Sequence, residues 1–177
     1  TSDNSDGIQR LFIQEGTSFA YPASAMGAHV SAVPNHQNGR ITDIKLRADV
    51  AMMGHFGYEL DLATLTDEEI ECVKEQIKFN KKYSEVFHKG DMYRLLSPYK
   101  SNVVAWEFIS EDKNTVILCL YRILGQPEEP VLNIKLQGLE NDALYSLSGK
   151  TYGGEFLMNY GINTEKHFDT NGDFKSE

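Results

Sequence analysis

The sequence is poor in cysteine, in clustered basic residues and in long apolar runs, and each shortage excludes a class of protein. Two cysteines, Cys72 and Cys119, are too few for a disulfide framework, and their apolar neighbours indicate buried thiols. Against 26 Asp and Glu there are only 17 Lys and Arg, for a net charge of −9, which argues against nucleic acid as the main partner. No stretch approaches the roughly 18 consecutive apolar residues of a spanning helix, so no membrane partner is expected.

The remaining composition is typical of a globular protein. Apolar residues make up 41% and charged residues 24% of the 177 residues, a length that allows one ordinary domain or two small ones. The sequence begins at Thr1 without an initiator Met or a signal segment, and an alternating pattern that starts at Phe174 stops at Glu177. We therefore expect a piece of a longer polypeptide.

Helix and strand patterns alternate over the first part of the chain. Asp6 followed by Gln9 has the spacing of a capping box, which predicts a helix that ends at Gly16. A short, mostly buried strand is predicted over 17–21. Small residues dominate 23–40, where either a tightly packed helix or a loop is plausible.

The next segments repeat this alternation. Helical spacing predicts a helix over 41–53, and a run opened by glycine predicts a strand over 54–62. A second capping box at Thr66–Glu69 starts a long helix that Gly90 closes. The first 96 residues therefore look like two βα steps of a larger α/β fold.

After Pro98 the pattern changes to strands. Two apolar runs, 103–109 and 115–121, are joined by a polar turn and predict a hairpin. Further short strands are predicted over 131–137 and 144–147. The second part is therefore predicted to be a sheet or a small sandwich.

The densest polar cluster stands at the head of the first helix, in Asp3, Asn4, Ser5 and Asp6. One interpretation is helix capping, which Ser and Asp perform at such positions. The other is that one carboxylate faces a cleft and serves as a general acid.

The other motifs in the sequence do not indicate a metal site or a serine hydrolase. The five histidines lack the spacing of a helical zinc site, and no G-x-S-x-G occurs. Asp169–Asp173 is similar to the start of a calcium loop, but its glycine is misplaced, so a polar turn is predicted. Trp106 and Tyr152–Gly154 could form a sugar-stacking surface, although a core aromatic and a turn are the plainer interpretation. The histidines are His29, His36, His55, His88 and His167.

Ordered blocks along nearly the whole chain resemble the microbial, bacterial-type α-galactosidases of glycoside hydrolase family 36. The matching blocks are Ser2–Asp6, Arg10–Leu11, Gln14–Ser18, Tyr21–Pro22, Met26–Ser31, Val33–Gln37, Gly57–Asp61, Tyr93–Pro98, Gly149–Gly154 and Leu157–Asn159. The similarity weakens after about Asn163.

This resemblance implies a fold that combines α/β and all-β parts. Family members have an N-terminal β-supersandwich, a central (β/α)8 TIM barrel and a C-terminal antiparallel β-sandwich domain. Residues 1–96 match the last βα units of the barrel. Residues 97–177 match the C-terminal domain, with its final strands missing, so both parts are expected to be truncated.

The resemblance also implies hydrolysis of terminal α-linked galactose, as in melibiose and raffinose, with retention of configuration. Retention uses two carboxylates about 5–5.5 Å apart. The general acid/base of the family corresponds to Asp3. Asp6 is expected to be a structural partner that caps the helix or holds Arg10.

The sequence differs from the family in one respect that limits the activity implied by the resemblance. The family's nucleophile lies in a K-W-D-M-N-R motif, which does not occur here, and its galactose-binding stretch is also missing. The 177 residues alone are therefore predicted to be inactive. The resemblance implies no cofactor and no metal, a tetrameric parent protein and a bacterial cytoplasmic location.

Two alternatives stay open at this point. One is a non-catalytic β module for carbohydrate binding or assembly, with Trp106, Tyr121, Tyr145 and Tyr152 as candidate exposed aromatics. The other keeps the fold but changes the sugar, as in an α-N-acetylgalactosaminidase or a galactosyltransferase.

Overall fold

Helices and strands are described for residues 2–127, 131–163 and 174–176 of the computed structural model. The helices are α1 (Gly7–Ser18), α2 (Ile44–Ala51), α3 (Asp67–Lys89) and α4 (Gly154–Asn159), with short 3-10 helices at Ala23–Ala25 and Leu62–Thr64. The strands are β1 (Gly27–Ser31), β2 (His55–Glu59), β3 (Asp91–Leu96), β4 (Val103–Ile109), β5 (Val116–Arg122), β6 (Asn133–Ile134), β7 (Leu144–Leu147), β8 (Lys150–Gly153), β9 (Ile162–Asn163) and β10 (Lys175–Ser176). Each helix in this part of the chain is too short or too polar to cross a bilayer.

The first half is built on two parallel strands joined by a helix. β1 pairs with β2 in register from Gly27 opposite His55 to Ser31 opposite Glu59, and α2 makes the crossover. Ala28 and Val30 are buried in the main core, whereas His29 is exposed on the other face of the pair. The predicted helices over 41–53 and from Thr66 to Gly90 and the predicted strand over 54–62 are present with shorter bounds, and Leu62 belongs to a 3-10 helix and not to the strand.

Local side-chain hydrogen bonds cap α1 and α3, the two helices whose starts the capping signals predicted. The Asp6 carboxylate caps α1 by accepting from Gln9 N, and Thr66 and Glu69 form the complete capping box of α3. The α3 box contains two reciprocal hydrogen bonds, from Glu69 N to Thr66 Oγ1 and from Thr66 N to Glu69 Oε2. These signals depend on residues three apart, so the sequence alone reveals them.

Two predictions at the end of α1 are wrong. The helix does not stop at Gly16 but continues to Ser18, with Phe19 as its C-cap, so no strand forms over 17–21. Phe19 and Tyr21 are 71% and 62% exposed, whereas the predicted strand required their burial. A Cβ on Gly16 would lie 3.2 Å from Tyr99 Oη, so this glycine leaves room for a tyrosine from the second half.

The small-residue segment 23–40 is not a helix. It contains a 3-10 helix, then β1, then a loop with a cis peptide bond between Val33 and Pro34. The small side chains of Gly27 and Ala28 therefore belong to a strand, and the second predicted alternative, a loop, holds for its end.

The second half contains a four-stranded antiparallel sheet in the order β10-β5-β4-β3. The predicted hairpin is confirmed as β4 and β5, which pair from Val103 opposite Arg122 to Ile109 opposite Val116. β3 was not expected from the pattern, and it pairs with β4 after α3 ends.

β4 is the centre of this half because both of its faces are buried. Val104, Trp106 and Phe108 join the core that contains the helices. Ala105 and Ile109 pack instead against residues of a second layer.

This second layer consists of two small antiparallel pairs, β6 with β9 and β7 with β8, together with α4. The predicted strand over 144–147 is confirmed, but only Asn133–Ile134 of the predicted 131–137 strand is extended and paired. The short helix α4 was not predicted. It begins at Gly154, where a Cβ would lie 2.0 Å from Glu140 O, so close backbone packing explains the glycine.

Candidate active site

Asp3 lies in the irregular segment that leads into α1, and its side chain is exposed. Two local hydrogen bonds shape this segment, from Asn4 N to Ser2 Oγ at 3.1 Å and from Asp6 N to Asn4 Oδ1 at 2.9 Å. The turn that they form leaves the Asp3 carboxylate free to meet a ligand from solvent.

Asp6 is buried and has a structural environment. Its Oδ1 accepts from Gln9 N at 2.8 Å and from the Arg40 guanidinium, and its Oδ2 accepts from Asn38 Nδ2 at 2.9 Å. The cap expected for Asp6 is therefore present. The expected alternative, that Asp6 holds Arg10, is wrong. The guanidinium that donates to the Asp6 carboxylate is that of Arg40.

Arg10 instead ties the Asp3 segment to the rest of the fold. Its Nη1 donates to Ser2 O at 3.2 Å, its Nη2 donates to Gly27 O at 2.7 Å and its Nε donates to Gln14 Oε1 at 3.1 Å. Burial lowers the pKa of this guanidinium, but arginine remains protonated in proteins. Arg10 thus holds the carbonyl next to Asp3 against the start of β1.

The loop after β1 holds the same segment from the other side. Ser31 Oγ donates to Ser5 O at 3.1 Å, and Asn35 Nδ2 donates to Ser5 Oγ at 3.3 Å. Sequence reasoning missed the roles of Ser31, Asn35, Asn38 and Arg40. The available signals were the Met26–Ser31 and Val33–Gln37 blocks, which contain Ser31 and Asn35.

The exposed face of the β1–β2 pair is polar. His29 Nδ1 lies 3.6 Å from Glu59 Oε2, and both side chains are at least half exposed. Gly57 pairs with His29 across the two strands, and a Cβ there would be 3.2 Å from His29 Cδ2. This face therefore presents ionisable side chains to solvent.

Candidate metal ligands do not converge in the described ranges 2–127, 131–163 and 174–176, where no group of three or more His, Cys, Asp or Glu could hold an ion. His55 and His88 are neighbours, with ring centroids 5.0 Å apart, and His88 Nε2 is hydrogen-bonded to Gly54 O. His36 is exposed in the loop after β1. His167 and the predicted polar turn Asp169–Asp173 lie outside the described residues.

The four aromatic residues considered for a sugar-binding surface do not share one. Trp106 and Tyr121 are fully buried and contact each other with ring centroids 5.4 Å apart. Tyr145 and Tyr152 are half-buried in the second layer. A binding surface that uses all four rings is therefore not present.

Two family models match this chain. The melibiase model matches residues 1–90, and the model of the glycosyl hydrolase family 36 C-terminal domain matches residues 103–177. The chain belongs to glycoside hydrolase family 36.

Two curated relatives of this chain are named as α-galactosidases. The chain is 47% identical over 163 residues to the α-galactosidase AgaA of Geobacillus stearothermophilus, a match that covers 92% of this chain and 22% of the relative. It is 48% identical over 164 residues to a probable α-galactosidase G of Aspergillus terreus, covering 92% of this chain and 23% of that protein. The chain thus spans less than a quarter of the length of these relatives.

Solved structures agree with the whole described fold. The crystal structure of AgaA superposes with a TM-score of 0.94 at 44% identity, covering all of this chain and 24% of that one. An AgaA variant was solved in complex with raffinose and matches with the same TM-score at 43% identity and the same coverage. The α-galactosidase of Lactobacillus brevis also matches at 0.94, with 40% identity, all of this chain and 25% of its own.

Proposed function

We propose that these residues belong to a retaining α-galactosidase in which Asp3 is the general acid/base. The observation that carries the proposal is the attachment of the Asp3 segment to the carboxyl end of β1, where Ser31 Oγ donates to Ser5 O. Catalytic residues of (β/α)8 barrels gather at the carboxyl ends of the parallel strands. Family membership supports the same assignment.

The chemistry needs two carboxylic acids. Asp3 in its protonated form would donate its proton to the glycosidic oxygen while a carboxylate outside these residues attacks the anomeric carbon. The bond from that carbon to the leaving group breaks, and a galactosyl-enzyme forms. Asp3, now ionised, would then take a proton from the water molecule that attacks this intermediate. The isolated 177 residues would therefore have no activity.

The substrates that we propose are terminal α-galactosides such as melibiose and raffinose. The AgaA complex with raffinose supports this class. We propose further that residues up to about 96 end a (β/α)8 barrel and that the rest belongs to a C-terminal β-sandwich domain. Because β3 (Asp91–Leu96) pairs with β4 of the antiparallel sheet, we move this proposed boundary from Leu96 to about Gly90. A cytoplasmic homotetramer that needs no cofactor is the proposed form of the parent protein.

The test is Asp3→Ala in the full-length protein, assayed on an aryl α-galactoside with a poor leaving group. General acid catalysis contributes about 10²–10⁴-fold, so kcat/KM should fall by that order. Asp142→Ala, which removes an exposed carboxylate in the second half, is the matched control and should keep full activity.

Azide provides a second readout. An exogenous nucleophile does not need a general base, so it should restore turnover of an activated aryl galactoside by Asp3→Ala. An Asp3→Ala enzyme with wild-type kinetics would contradict the proposal and leave Asp3 as part of a helix start.

A further inference from the structure

Helix α1 is held by different parts of the molecule at its two ends. Its first turn contacts the Asp3 segment and the loop after β1, as described above. Its last turns are held by residues of the antiparallel sheet and of the connection that follows β3. Tyr99 Oη donates to Phe12 O at 2.9 Å, and Arg94 Nε donates to Ser18 Oγ at 2.7 Å.

The most deeply buried of these contacts is made by Glu15, which is 1% exposed. Its Oε2 accepts from Trp106 Nε1 at 2.8 Å, and its Oε1 accepts from Ser97 Oγ. Trp106 is the buried centre of β4. One buried carboxylate on α1 therefore receives hydrogen bonds from a strand and from a loop of the second half.

A second set of buried contacts leads from this point back to Asp3. Gln14, next to Glu15, donates to Val50 O at 2.8 Å and accepts from Arg10 Nε at 3.1 Å. Arg10 donates in turn to Ser2 O, the carbonyl that precedes Asp3. Since α1 is a hydrogen-bonded helix, a shift at Glu15 would be transmitted to Arg10 and to the Asp3 segment.

We propose that Glu15, held by Trp106 and Ser97, is a positioning residue for Asp3, so that the β-sheet half sets the place of the general acid. This inference rests on the proposed function. Displacement of a catalytic group by about 1 Å can cost on the order of 10²-fold in rate. Loss of the Glu15 contacts should therefore weaken acid catalysis specifically.

The experiment uses the full-length protein and two substrates. Raffinose has a sugar leaving group that needs a proton, whereas 2,4-dinitrophenyl α-galactoside has a leaving group that departs without one. The ratio of the two kcat/KM values does not depend on how much of a variant is folded, so a loss of stability alone cannot change it.

Asp3→Ala gives the reference decrease of this ratio, about 10²-fold or more. Glu15→Leu and Trp106→Phe should each lower the ratio by about 10- to 100-fold. Glu15→Gln should restore it to near the wild-type value, because the amide oxygen can accept from Trp106 and the amide nitrogen can donate to Ser97 Oγ. Gln9→Ala, on the exposed side of α1, is the control and should not change it.

Two outcomes separate the possible failures. If Asp3→Ala lowers the ratio but Glu15→Leu and Trp106→Phe do not, the positioning role is overturned and the proposed function stands. If Asp3→Ala itself leaves the ratio unchanged, the assignment of Asp3 fails, and the inference about Glu15 fails with it.

Discussion

Glu15 and Glu107 are both buried glutamates that lie between layers of the fold, but they differ in the number of hydrogen-bond donors around them. Glu15, between α1 and the antiparallel sheet, is 1% exposed, and each of its oxygens accepts a side-chain hydrogen bond. Glu107, between that sheet and the second layer, is 0% exposed. Its Oε2 accepts from Gln137 N at 2.8 Å, but its Oε1 has no hydrogen-bond partner among the described residues.

The comparison shows that two carboxyl groups buried to the same degree can differ in the number of hydrogen-bond donors that the fold supplies. Burial raises the pKa of Glu107 to about 7, and the single backbone donor only partly opposes this. Glu15 joins the two halves through directed hydrogen bonds, whereas Glu107 is a polar group that the protein keeps neutral over part of the physiological range.

Removal of the Glu15 carboxylate should have the largest effect on stability. Glu15→Leu leaves the fully buried Trp106 donor without a partner, which costs about 1–3 kcal/mol, and removes the acceptor of the half-buried Ser97 hydroxyl, which costs about 1 kcal/mol. We expect a loss of about 3 kcal/mol in the free energy of unfolding, measured by urea denaturation. Glu15→Gln should recover most of it, and an equal loss in both variants would show that the hydrogen bonds are unimportant.

Glu107→Gln should change how stability depends on pH. The folded state holds the Glu107 proton up to a pKa of about 7, above the ordinary 4.5, so its contribution is complete below pH 4.5 and is lost as the pH rises to 7. This difference corresponds to at most about 3 kcal/mol. The glutamine variant should therefore exceed the wild-type protein in stability at pH 8 and match it near pH 4.5.

Urea midpoints at pH 4.5, 6 and 8 test this expectation. Glu155→Gln, an exposed substitution on α4, is the control and should leave the pH profile of the wild-type protein unchanged. A Glu107→Gln profile with the same pH dependence as the wild-type protein would mean that Glu107 is ionised in the folded state.

Ser97→Ala should have the smallest effect. It removes one of the two donors to Glu15 and leaves Trp106 in place, so a loss of about 1 kcal/mol is expected in the urea experiment. Ser146→Ala, at an exposed position of β7, serves for comparison. A loss as large as that of Glu15→Leu would mean that Ser97, and not Trp106, provides most of the contact.

Prediction from sequence succeeded where the deciding contacts are local. The Asp6 cap, the Thr66–Glu69 box and the hairpin of β4 and β5 depend on residues close in the chain or on a clear alternation. It failed at Gly16, whose role is set by Tyr99, and at 17–21, where exposed aromatic residues imitate a buried strand.

The candidate site could likewise be predicted from the sequence only in part. The polar cluster at Asp3–Asp6 stands out in the sequence, and the resemblance to family 36 supplies a role for Asp3. The partners that hold the cluster could not be predicted, because Asn38 and Arg40 reach Asp6 from more than 30 positions along the chain.

The sequence by itself determined the family, the helix starts and the change from alternating helices and strands to antiparallel strands. Only the tertiary structure decided that Asp6 binds Arg40 and not Arg10, that Glu15 meets Trp106 and Ser97, and that Glu107 has no second donor among the described residues. The physical reason is that caps and alternation arise from neighbouring residues, whereas the environment of a buried charge is set by groups that only folding brings together.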